Sequence, residues 1–150
     1  MTTQSNLDLS RYMGEWYEIA KYPFKWETKC ETAKAIYSLN DDGTISVTNQ
    51  CLVQGKSIYE RSGTARPTSD SGKLKLKFDD GLPADSEGDY WVHWTDYQNS
   101  IVGGPTGEFL WWLSRKPTVK ASEVEPFLSK IREYGYDTDK LVAHPSVVVP

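Results

Sequence analysis

The chain has 150 residues, of which 38% are hydrophobic, 25% charged and 13% aromatic, and it carries a net charge of −4. That apolar fraction excludes a disordered chain, the acidic balance speaks against a nucleic-acid binder, and no apolar run is long enough for a membrane-spanning helix. Two cysteines are too few for a disulfide scaffold or a four-ligand zinc site. Met1 to Ser10 is polar and does not read as a signal peptide, so the expectation is a cytosolic chain or a mature form without its leader.

Short β-like runs separated by turn signals follow in order. Glu15–Tyr22 is the first and Ala33–Leu39 the second. Asn40-Asp41-Asp42-Gly43 reads as a tight turn into the third run, Thr44–Val53. Lys56–Arg66 is the fourth, closed by Pro67. Lys73–Phe78 alternates cleanly, with Leu74, Leu76 and Phe78 on one side and three lysines on the other. Asp89–Thr95, Ser100–Gly104 and Glu108–Ser114 complete eight. The period then changes. Val124, Phe127, Leu128, Ile131 and Tyr134 define one face of a helix over about 122–134. Ser122 and Glu125 match a capping box, Pro126 falls in the first turn and Gly135 stops the helix. A short strand is expected near Leu141-Val142, and a loose tail after about residue 144.

Eight hairpin-ordered strands and one late helix predict a single all-β domain over residues 1–150. The expected architecture is an eight-stranded antiparallel up-and-down barrel with one C-terminal α-helix packed outside. A two-sheet sandwich is the runner-up. A barrel of eight can be filled or can hold one small ligand. Alternation assigns the interior to Ala35, Tyr37 and Leu39 on strand two and to Ile45, Val47, Asn49 and Cys51 on strand three. It adds Leu74, Leu76 and Phe78 on strand five, Tyr90, Val92 and Trp94 on strand six, and Phe109, Trp111 and Leu113 on strand eight. Strand four keeps no assigned phase. His93 turns outward to the surface, and neither it nor His144 has a partner at metal-ligand spacing, so no metal site is expected. The lining is that of a small-molecule pocket, and equally of inward aromatics that fill a barrel.

A turn over Asn40–Gly43 would set Leu39 opposite Thr44. In that register Cys30 and Cys51 share a face as diagonal neighbours about 7 Å apart, which leaves a disulfide and two free thiols both open. A disulfide would argue for an oxidising compartment. The same register puts Tyr37 and Asn49 on opposite faces.

Three short blocks carry a family resemblance: Gly14-Glu15-Trp16 at the first strand, Thr95-Asp96-Tyr97 between strands six and seven, and Arg115 after strand eight. Together they resemble the lipocalin family. The stretches GEWYEIAKYP, AIYSLNDDGTISVTNQC and FLWWLSRKPT are similar to its bacterial lipocalin and apolipoprotein D branch, from about Leu9 to about Lys140. Physical reasoning gives these blocks structural roles. Trp16 can plug one barrel end under the Arg115 guanidinium, Gly14 lets the backbone pass closely, and Asp96 can accept turn N–H groups. The resemblance implies that Tyr37, Asn49 and Trp111 contact ligand. It puts both Tyr37 and Asn49 inside, so a bulge or a longer turn between them is expected.

The leading functional expectation is non-catalytic binding and transport or storage of a small hydrophobic ligand. The resemblance implies fatty acids, lysophospholipids, sterol-like lipids or pigments. The expected lining is Tyr37, Asn49, Trp111, Ala35, Leu39, Val47, Leu76, Phe78, Tyr90, Val92, Trp94 and Leu113, with no cofactor. One alternative is a lipid-directed enzyme using a cavity thiol, Cys51. Another is a protein-interaction or inhibitor module acting through open-end loops, although the loop Asp79–Gly88 offers no hydrophobic anchor. The Lys73, Lys75 and Lys77 stripe is a solvated outer face or a contact for anionic headgroups. The resemblance implies a secreted or membrane-associated protein, yet no lipidation cysteine stands near Met1. A monomer and a homodimer both remain open.

Overall fold

The computed structural model describes residues 2–22, 30–79, 88–143 and 147–150. Eight strands run β1 Gly14–Lys21, β2 Thr32–Leu39, β3 Ile45–Val53, β4 Lys56–Pro67, β5 Lys73–Phe78, β6 Gly88–Thr95, β7 Asn99–Gly103 and β8 Leu110–Ser114. Each pairs antiparallel with its chain neighbour, and β1 closes the ring on β8. Closure leaves no sheet edge to protect, so the near absence of proline within the strands carries no cost. The sandwich alternative falls with this ring.

Two core clusters lie on opposite sides of the wall. The inner one fills the closed end with Tyr12, Trp16, Val92 and Val102 among others. Tyr12 comes from a short helix, α1 (Leu9–Tyr12), capped by Asp8, whose carboxylate accepts from the Ser10 and Arg11 N–H groups. The outer cluster lies under α2 (Ala121–Glu133) and includes Ile19, Ile101, Leu110, Trp112 and Ile131. Phe127 of α2 stacks on Trp112 at 4.2 Å between ring centroids.

The helix begins one residue earlier than the pattern suggested. Lys120 is its N-cap, and the Glu123 carboxylate accepts from the Lys120 N–H at 3.0 Å. The Ser122–Glu125 capping box is therefore not formed. Glu125 instead receives the Arg132 guanidinium at 2.7 Å, and Pro126 sits inside the helix, beyond its first turn. Gly135, at φ +93°, follows the helix as expected. Near residue 142 there is a single bridge, Lys21 to Val142, and no strand. The tail beyond the undescribed residues 144–146 is not loose. Val147 is buried, and β10 (Val148–Val149) pairs parallel to β9 (Val119–Lys120), which anchors the chain end beside α2.

Bulges in two strands rotate side chains across the wall. In β6 the register slips between Val92 and Trp94: Val92 faces Val102, whereas Trp94 faces Ile101. His93 is the extra residue, so His93 and Trp94 both point outward. In β1 a slip between Glu18 and Ala20 moves Ile19 and Ala20 to the helix side. The β2–β3 ladder has no bulge. It pairs Leu39 with Ile45, so the connection is five residues, one longer than a turn over Asn40–Gly43 alone. The longer turn resolves the phase conflict: Ala35 faces Asn49, Tyr37 faces Val47, and Tyr37 and Asn49 are diagonal neighbours on one face.

Candidate functional site

A cavity of about 730 Å³ opens at the end of the barrel opposite Trp16. Its floor is built first. Trp16 is fully buried, and its Nε1 donates to the Tyr12 carbonyl at 2.8 Å. The Arg115 guanidinium lies over the indole at 3.8 Å from the ring centroid. Its three nitrogens donate to the carbonyls of Tyr97, Glu15 and Arg11 at 3.1, 2.9 and 2.8 Å. Gly14, at φ +98°, passes so close that a Cβ there would meet the guanidinium at 3.4 Å. Asp96 accepts from the Gln98 and Asn99 N–H groups and holds the turn that delivers the Tyr97 carbonyl. The three sequence blocks thus converge at the closed end, each in the structural role expected of it.

Above Trp16 lies a chain of hydroxyls. Tyr37 Oη meets Tyr90 Oη at 2.8 Å, Tyr90 meets Tyr12 at 3.0 Å, and Tyr12 meets Ser100 Oγ at 2.8 Å. Each is buried, so each needs such a partner. Burial pushes the Tyr12 phenol up to about 12 and drives Tyr37 and Tyr90 well above their ordinary value. All three remain neutral hydrogen-bonding groups at physiological pH.

The wall brings together most of the residues read from the sequence. Ala35, Tyr37, Val47, Asn49, Leu76, Phe78, Tyr90, Trp111 and Leu113 all line the cavity. Three assignments are corrected. Trp94 lies outside, because the β6 bulge turns it under α2 against Phe127 and below the Lys130 ammonium. Leu39 lies past the start of β1 and is half exposed, outside the cavity. Val92 does point inward, but it is packed into the closed-end core and does not reach the cavity.

His93 is a further correction. It does point away from the interior, but it is not a surface residue, being 2% exposed. It bridges the Thr2 carbonyl and the Tyr136 hydroxyl, both at 2.6 Å. A Cβ on Gly103 would collide with Tyr136, so a bare backbone there admits that ring. His144 lies outside the described residues.

Sequence reasoning left other lining residues unassigned. Strand four turns Tyr59 and Arg61 inward, opposite Cys51 and Asn49. Glu18 faces in opposite Ala33, with the Lys21 ammonium 3.7 Å from its carboxylate. Glu18 has the same parity as Trp16, so alternation carried along β1 from the plug would have found it. Near the mouth, Cys30 and Cys51 form a disulfide with Cα atoms 5.1 Å apart. The pairing escapes the ladder register because Cys30 precedes β2. Of the lysine stripe, Lys75 bonds Asp89 at 2.6 Å, and Lys73 lies 3.5 Å from Asp70 and over Trp91. The loop considered for partner contact lies largely outside the described residues.

The model of a family described as the lipocalin-like domain matches residues 7–146. Temperature-induced lipocalin-1 of Arabidopsis thaliana is 38% identical, over all of this chain and 85% of that protein. The outer membrane lipoprotein Blc of Escherichia coli K12 is 33% identical over 95% of the chain and 81% of its own length. Mouse apolipoprotein D is 30% identical over 92% and 76%. Among solved structures, insecticyanin of the tobacco hornworm superposes with a TM-score of 0.72 at 22% identity, covering 95% of this chain and 82% of that one.

Proposed function

Because this chain belongs to the lipocalin family, we propose that it binds and carries or stores a small hydrophobic molecule in the barrel cavity, without catalysis. The observation that supports this most is the cavity itself: about 730 Å³, mostly apolar walls, and a floor packed from buried side chains. That volume falls within the range of ligand pockets. Burying about 300 Å² of ligand surface favours binding by roughly 7 kcal/mol before ordering costs. Trp111 and Phe109, stacked with centroids 6.1 Å apart, form an aromatic wall for a flat or extended ligand. Tyr37 and Asn49 supply polar groups that fix its orientation. The thiol-enzyme alternative loses its nucleophile, since the Cys51 sulfur is bonded to Cys30.

The test is an organic extract of the purified protein, read by mass spectrometry, followed by titration of the delipidated protein with a long-chain fatty acid. The expected result is an extracted hydrophobic molecule and a saturable change in Trp fluorescence that shrinks strongly in Trp111→Phe. An empty extract together with a flat titration would reject the reading.

A further inference from the structure

The hydroxyls at the cavity floor carry one proton more than they can use among themselves. Tyr37, Tyr90, Tyr12 and Ser100 form an unbranched row with links of 2.8, 3.0 and 2.8 Å. Each hydroxyl owns a single proton, so four protons meet three links and one O–H is left over. Among the described residues, these four hydroxyls bond to nothing outside the row. A buried donor without an acceptor is costly, and proteins tolerate it less well than an unfilled lone pair.

Burial decides where the surplus proton can be used. Ser100 is 0% and Tyr12 2% exposed, and neither lines the cavity, whereas Tyr37 and Tyr90 both do. With Ser100 donating to Tyr12 and Tyr12 to Tyr90, the surplus O–H falls to the Tyr37–Tyr90 pair, at the end of the row that borders the cavity. Ring packing positions the pair: Tyr37 meets Tyr90 edge-on and stacks beside Tyr12, each at 5.9 Å between centroids. The surroundings are apolar, with Val47 across the ladder from Tyr37 and Val102 and Leu113 in the same lining. Asn49 stands two residues nearer the mouth on β3, about 7 Å along the strand, and serves a higher level.

The count also selects the chemistry of the occupant. A carbonyl oxygen accepts and brings no proton of its own, so it matches the surplus one for one. An alcohol would bring a second surplus proton, and a carboxylate would bring a charge that this buried floor must desolvate. Resting on the carrier reading above, we propose that the Tyr37–Tyr90 pair is a deep subsite for the neutral carbonyl oxygen of a ketone or aldehyde, carried at the inner end of an otherwise apolar ligand. A fatty acid enters the same cavity tail first and leaves this subsite unused.

The experiment titrates delipidated wild type, the double variant Tyr37→Phe/Tyr90→Phe and the control Ser100→Ala with methyl undecyl ketone, tridecane and dodecanoate. The double variant should bind the ketone about tenfold more weakly, while tridecane and dodecanoate stay within about twofold. Ser100→Ala, which shortens the row but keeps its cavity end, should hold all three within about twofold. A second measurement needs no variant. The isotope-labelled carbonyl of the bound ketone should absorb in the infrared below its frequency in hexane. Uniform fluorotyrosine labelling, which strengthens the phenols as donors without removing them, should lower that frequency further. A carbonyl band at its hexane position, an equal loss of all three ligands in the double variant, or an equal ketone loss in Ser100→Ala would overturn the subsite and leave the carrier reading standing. Binding of none of the three by a folded wild type would overturn both.

Discussion

Trp16 and Arg115 share one contact. The indole fills the barrel end and the guanidinium covers it, while three backbone carbonyls hold the guanidinium in place. Trp16→Ala should cost about 3–5 kcal/mol in denaturant unfolding through the space it empties. Arg115→Ala should cost less, and the double variant should lose clearly less than the two losses added, because the stack is counted in both. Full additivity would show that the stack contributes nothing. His93 gives a pH prediction. Burial holds its pKa below the ordinary value, against the opposing pull of the Thr2 carbonyl. The unfolded chain therefore binds a proton that the folded one resists, near pH 6.5. The stabilisation from neutral His93 is complete above that pH and is lost as pH falls through it toward the lower folded value. Unfolding followed from about pH 7 down to about 5.5 should show declining stability, and His93→Gln should flatten that decline. The closed-end residues were legible in the sequence because a Trp, a Gly, an Asp and an Arg each carry one obvious physical task. His93 was not, since its burial comes from Thr2 and Tyr136, which are distant along the chain.

Elements were read well where alternation ran unbroken. All of β5 and the lining of β2, β3 and β8 follow the period of two. Where alternation broke, a bulge was the cause: it inserts a residue and reverses every later side chain. Trp94 was lost from the cavity this way, and no local signal in DYWVHWT marks the slip. The correction is measurable. Trp94→Phe should leave the ligand-induced fluorescence change intact, in contrast to Trp111→Phe. Phe127→Ala should destabilise by about 2 kcal/mol, less than a fully buried ring costs, by loosening α2 from Trp112 and Trp94. Ligand affinity in that variant should hold, since α2 never meets the cavity. Arg61 also stayed hidden, because the polar run of β4 offers no hydrophobic period from which to take a phase. The disulfide closes a separation of 21 residues, and replacing both cysteines by Ala should cost about 3 kcal/mol by loop-closure entropy.

At the scale of the whole molecule, ligand and folding are linked by mass action. A ligand held only by the closed barrel, at a hundred times its dissociation constant, should raise unfolding free energy by about 2.7 kcal/mol. Thermal unfolding with and without fatty acid reads this directly, and an unshifted midpoint at saturation would contradict binding to the folded form. The two core clusters sit on opposite faces of one wall: the outer one, under the helix, shares no residue with the cavity lining, and the plug residues Tyr12, Trp16 and Val92 of the inner one lie below that lining. That division has a consequence for descent. Substitutions on the upper wall can change which molecule fits while the closed end and the helix seam keep the chain folded, so ligand preference is free to drift between relatives faster than the architecture does.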